Sequence, residues 1–98
     1  MQYKVLIKLY VPEVEESYEA YIPINKTLYT VSKLLAELIR THSKEITDNR
    51  SIKLYNRYTG MQYNYAKIVR DTDIRNGSQL VAILEETPQE EDIAQLAK

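Results

Sequence analysis

Three groups of side chains in this sequence have types and spacings that could do chemistry. His42 precedes Ser43, a base beside a hydroxyl. Asp71 and Asp73 are two carboxylates close enough in sequence to face one cation. Tyr58, Tyr63 and Tyr65 interleave with Arg57, Lys67 and Arg70, a mixture that could stack and neutralise single-stranded nucleic acid. None of the three is completed by the rest of the chain. His42 is the only histidine and there is no cysteine. A metal site built on His42 therefore lacks a second nitrogen or sulfur ligand, and thiolate, disulfide and iron–sulfur chemistry are excluded. A serine adjacent in sequence to a histidine does not make a triad, which needs a third group to orient the base. The aspartates fall in a turn, where carboxylates serve as hydrogen-bond acceptors. The expectation is a protein that is not an enzyme, with no cofactor and no metal, and that acts by binding.

Charge narrows the class of partner. The chain has 98 residues and a net charge of -1, against the basic excess of a dedicated nucleic-acid binder. Charge is unevenly distributed. Arg50, Lys53, Arg57, Lys67, Arg70 and Arg75 outnumber Asp71 and Asp73 in the third quarter, whereas Glu85, Glu86, Glu90, Glu91 and Asp92 face only Lys98 at the end. The start, Met1-Gln2-Tyr3-Lys4, has no basic segment followed by an apolar core of signal-peptide length, and no apolar run approaches the ~20 residues of a membrane span. The expected location is cytoplasmic.

The elements that must position these side chains can be read from periodicity. Leu80 to Leu84 is an unbroken apolar run, entered through Asn76-Gly77-Ser78 and left at Glu85-Glu86. It predicts a central strand covered on both faces. Residues 3–11 alternate, with Tyr3, Val5, Ile7, Leu9 and Val11 on the expected core face, and Pro12 ends the strand. Ser17 to Ile24 alternates again and carries Pro23, which places it at an edge. From Leu28 the period changes to three and four through Leu28, Val31, Leu35, Leu38 and His42, widened by Leu34 and Ile39. That is an amphipathic helix, capped by Thr27 or Thr30. Ser51 to Tyr55 reads as a third strand, Met61-Gln62-Tyr63 as a short fourth, and the segments around Asp71–Ile74 and Asn76-Gly77 as turns. The order predicts an α+β domain over residues 1–86: a mixed sheet of four to five strands with one packed helix, the last strand lying parallel beside the first.

The chain resembles ubiquitin and its relatives of the β-grasp fold. The likeness is carried by Met1-Gln2-Tyr3-Lys4-Val5, by the Leu28/Val31/Leu35 helix, by Gly60 after strand three, and above all by the segment from Asp71 to Leu80. That segment is similar to the D-x-x-I-x-x-G/E-S/D-x-L pattern before ubiquitin's final strand. It also resembles the end of the bacterial YukD-like family, which is associated with type VII (WXG-type) secretion. The resemblance implies a ubiquitin-like protein–protein interaction module, an accessory component of such a secretion system. The Gly-Gly ending of conjugated ubiquitins is replaced by Glu85-Glu86-Thr87-Pro88, and only Gly60 and Gly77 occur in the chain; no conjugation or sulfur carriage is expected. The absence of cysteine removes the ferredoxin branch of the fold. The alternatives are a β-grasp adaptor of an unrelated bacterial system that works by homo-oligomerisation, and, more distantly, the nucleic-acid binder outlined above.

The sheet face away from the helix should then carry Leu6, Lys8, Tyr10, Tyr21, Val81 and Ile83, with Tyr55 beside them. Apolar and tyrosine patches of this kind mark interaction sites, and in ubiquitin the corresponding face is the main partner-binding surface. The nine tyrosines, with no Phe or Trp, suit half-wet positions. Residues 87–98 form an acidic tail. Thr87-Pro88-Gln89-Glu90 reads as a helix start, and Ile93 and Leu96 are the residues that would contact the domain, a partner or a second copy. A homodimer through the sheet face or the tail is a further expectation.

Overall fold

A computed structural model describes residues 3–46, 48 and 50–85. Strand β1 (Lys4–Val11) and strand β2 (Glu16–Pro23) form a hairpin, followed by helix α1 (Leu28–His42), strand β3 (Ile52–Asn56), a single 3-10 turn (Val69–Asp71) and strand β4 (Gln79–Leu84). The sheet order is β2-β1-β4-β3. β4 runs parallel to β1 and antiparallel to β3, so the two middle strands are the first and the last in sequence. The most apolar strand thus sits inside the sheet, and Pro23 lies on an edge strand.

Alternation decides which side of each strand is dry. Val5, Ile7, Leu9 and Val11 of β1, Ile22 of β2, Ile52 and Leu54 of β3, and Leu80, Ala82 and Leu84 of β4 are buried, and α1 lays Leu28, Val31, Leu35 and Ile39 against them. Val69 and Ile74 close the core from the long connection before β4. The helix starts at Thr27, whose Oγ1 accepts a hydrogen bond from the Thr30 amide at 3.3 Å, and ends where the Ser43 amide donates to the Ile39 carbonyl at 2.8 Å.

Several expectations are corrected. Among the described residues, β4 is central but covered on one face only. Val81 is half-buried and Ile83 is 42% exposed, because α1 packs on the other side. Met61–Tyr63 is not a strand. Tyr55 and Gln62 form an isolated bridge, and the chain then turns so that Tyr63 and Tyr65 pack against the core. Leu34 lies about 100° round the helix from Leu35 and is 52% exposed. His42 is exposed in the final turn, and its Nδ1 lies 3.0 Å from the Leu38 carbonyl. Tyr3 precedes β1 and is exposed. The tail from 87 to 98, with Ile93 and Leu96, lies outside the described residues.

The turn into β4 is held by the neighbouring strand. The Leu6 amide donates to Asn76 Oδ1 at 2.8 Å, and the Gly77 amide donates to the Leu6 carbonyl at 2.8 Å. Gly77 has φ +85°, and a Cβ there would meet nothing within 4 Å. The cost of a side chain is therefore backbone strain alone. Gly77→Ala should lower stability by about 1–2 kcal/mol, and Gly77→Asn by less, because asparagine tolerates the left-handed region. Urea midpoints of the two variants test this.

Candidate protein-interaction face

The strand register arranges the outward-pointing residues in rows. Tyr10 is opposite Ser17 on one side and Val81 on the other, and Val81 is opposite Tyr55. One rung therefore runs Ser17, Tyr10, Val81, Tyr55 across all four strands. The neighbouring positions are Glu19, Lys8 and Gln79 on one side of that rung, Tyr21 opposite Leu6 beyond them, and Ile83 opposite Lys53 on the other side. All seven residues of the patch drawn from the sequence share this face. Tyr21 is 66% exposed, Ile83 and Lys8 are exposed, and Leu6, Tyr10, Tyr55 and Val81 are half-buried.

Arg57 belongs with them and escapes the strand pattern because it falls just after β3. Its guanidinium carbon sits 4.9 Å from the Tyr10 ring centroid, a cation–π contact, and its amide donates to the Gln79 carbonyl at 3.1 Å. The parity of 53, 55 and 57 was the available signal. Beside it lies a shallow depression of about 300 Å³ lined by Tyr55, Asn56, Arg57, Gly60, Val81 and Ile83. A second, of about 360 Å³, lies on the β2 side of Tyr10 and shares Arg57.

The residues that could have done chemistry are engaged structurally. Ser43 Oγ accepts from the Glu45 amide at 3.2 Å and contacts Glu16 at 3.3 Å. Asp73 accepts from Asn56 Nδ2 at 3.1 Å and from the Tyr63 hydroxyl at 2.8 Å. Arg75 donates to the Thr72 and Ile74 carbonyls, both at 2.7 Å, and Arg50 pairs with Glu13 and Asp48. Two cations of the basic stretch are therefore engaged within the domain. Tyr58, Tyr63 and Tyr65 do not make a stacking platform, since Tyr63 and Tyr65 pack on the core while Tyr58 stands out in solvent. A cavity of about 400 Å³ between α1 and β3 includes Tyr29, Lys33, Glu37, Arg50 and Tyr65. Its Glu37 is bonded to Arg40, which holds the carboxyl below its usual value. Among the described residues no cluster of three His, Asp or Glu is placed to hold a metal ion, and no helix is long and apolar enough to cross a membrane.

The tyrosines divide by environment. Tyr18, Tyr63 and Tyr65 send their hydroxyls to the Glu16 carboxylate, Asp73 and the Ile52 carbonyl. Burial, and then the Glu16 hydrogen bond, push Tyr18 up to about 12. Burial, and then the charge of Glu85, push Tyr65 up to about 12. Burial and Asp73 push Tyr63 higher still. A raised value means the folded state holds the proton more tightly than the unfolded chain. The stabilisation is complete below the ordinary value of 10.0 and is lost as pH climbs towards 12. The melting temperature should fall across that window, and Tyr65→Phe should flatten the fall.

No protein-family model and no curated protein matches the sequence. Solved structures do. The chain is similar to Caldiarchaeum subterraneum ubiquitin (14% identity, 88% of this chain and 99% of that one, TM-score 0.64). It is similar to a ubiquitin-like domain from an Arabidopsis thaliana protein (16% identity, 90% and 84%, TM-score 0.59). It is also similar to a chain of the ESX-5 inner membrane complex (12% identity, TM-score 0.70), of which it spans only 26% while 98% of its own length is covered. At these identities the likeness concerns the fold. The helix held in a sheet whose first and last strands are parallel neighbours is the ubiquitin-like fold.

Proposed function

We propose that this protein is a non-enzymatic protein-interaction module whose working surface is the outer face of its sheet, and that it serves in the cytoplasm as an accessory component of a bacterial type VII secretion system. The observation that carries the first part is the rung of Tyr10, Val81 and Tyr55 flanked by Tyr21 and Ile83. Aromatic and aliphatic side chains with a polar rim are the composition of an interface centre, and no other use for them is evident among the described residues. The secretion assignment is supported by the resemblance of the Asp71–Leu80 segment and by the structural likeness to a chain of the ESX-5 complex.

The test is reconstitution. The chain is immobilised and offered, one at a time, the soluble portions of the type VII secretion components encoded in the same genome. The expected result is saturable binding to one of them. Failure to bind any of them, with binding to an unrelated protein abolished by Val81→Glu, would overturn the secretion role and leave the interaction face standing.

A further inference from the structure

We propose that the outer sheet face is occupied in the free protein by the chain's own segment 86–98, so that a partner must displace it. This rests on reading that face as an interaction surface, and it adds the chemistry of the occupant.

Three observations point to it. The first is charge. Lys4, Lys8, Lys53 and Arg57 take outward positions on this face against Glu19 and, by the same parity at the end of β4, Glu85. The segment carries Glu86, Glu90, Glu91 and Asp92 against Lys98. The second is composition. Between those charges and the end of the chain lie Ile93 and Leu96, aliphatic residues three apart, suited to the apolar strip of Ile83, Val81 and Tyr55. The third is where the chain leaves the sheet. Leu84 is opposite Ile52, and the Glu85 amide donates to the Ser51 carbonyl at 2.8 Å. The segment therefore departs beside Ile83, at one end of the patch.

Reach is sufficient. Four strands spaced ~4.8 Å apart put the outer ones ~14 Å from each other, and the thirteen residues after Glu85 span roughly 20 Å even at helical rise. Tethering also supplies an effective concentration in the millimolar range. A segment of weak intrinsic affinity therefore stays seated, and an external ligand binds at an apparent affinity reduced by the competition.

The absence of cysteine makes the test clean. In the full-length protein, Lys98→Cys gives a single site for a nitroxide label. Paramagnetic broadening of backbone amide signals should be severalfold stronger at Tyr10, Tyr55, Val81 and Ile83 than at Val31 and Ile39 on the helix side. Adding Lys8→Glu and Lys53→Glu, or Ile93→Glu and Leu96→Glu, should abolish that contrast. Broadening confined to the residues next to Glu85 overturns the proposal. So does broadening of the face that appears only when labelled protein is mixed with isotope-labelled, unmodified protein, which would assign the face to a second copy. Loss of the proposal leaves the partner assay with Val81→Glu unaffected, and the two readings fail separately.

Discussion

Leu80→Ala is expected to lower the unfolding free energy by about 2–5 kcal/mol, whereas Ile83→Ala, three residues along the same strand, changes it by less than about 1 kcal/mol. Leu80 has no exposed surface and sits opposite Leu9 on one side and Asn56 on the other, at the centre of the core. Shortening it leaves a cavity walled by three strands and the helix, none of which can move in without breaking the ladder. A domain of this size has about 5–15 kcal/mol to lose, so the variant is expected to melt many degrees lower while still folding. Ile83 points away from that core and is 42% exposed. Paired urea titrations check the contrast. A large loss at Ile83 would mean that the outer face is covered by something that contributes to folding.

That contrast also marks where sequence reading reaches its limit. The five-residue apolar run from Leu80 to Leu84 announces a central strand, and it is one. The same run cannot say whether its outward residues are covered by a second layer or displayed to solvent, because an interaction patch and a buried face use the same aliphatic side chains. Among the described residues Val81 is half-buried and Ile83 exposed, with no second layer over them. The helix poses a similar problem at its end. His42 continues the angular stripe of Leu28, Val31 and Leu35, but it is exposed in the last turn, with its ring edge-on to Tyr18 of β2 at 6.4 Å between centroids; periodicity assigns a face and does not say how far burial extends to a helix end.

The face itself was largely legible, because parity alone sorts strand residues once the core side is known. Leu6, Lys8 and Tyr10 follow from Ile7 and Leu9 being dry, and Val81 and Ile83 from Leu80 and Ala82. What parity does not supply is register. That Tyr10, Val81 and Tyr55 form one continuous rung depends on β4 pairing with β1 at Lys8–Tyr10 and with β3 at Ile52–Asn56, which turn geometry and side-chain packing set together. Met61–Tyr63 shows the converse: an apolar–polar–apolar triplet beside a glycine turn looks like a strand, but the connection instead folds inward and packs Tyr63 and Tyr65, both half-buried, against the core.

Val81→Glu is expected to weaken binding to the partner found by reconstitution by about 30-fold or more, with little effect on the melting temperature. Val81 is the middle of the rung, flanked on both sides by tyrosines that can close around a ligand side chain, and residues at the centre of an interface carry most of its energy, commonly about 2 kcal/mol or more each. At 1.4 kcal/mol per factor of ten, that is about 30-fold. A carboxylate there would also have to be desolvated in the complex. Tyr10→Ala removes the ring beneath Arg57 and should act in the same direction. The control is Leu34→Glu, an equally drastic change at an exposed apolar residue on the opposite side of the domain, which should leave affinity within about twofold. If Leu34→Glu abolished binding and Val81→Glu did not, the working surface would be the helix, and the tyrosine rung would be only the outer skin of the sheet.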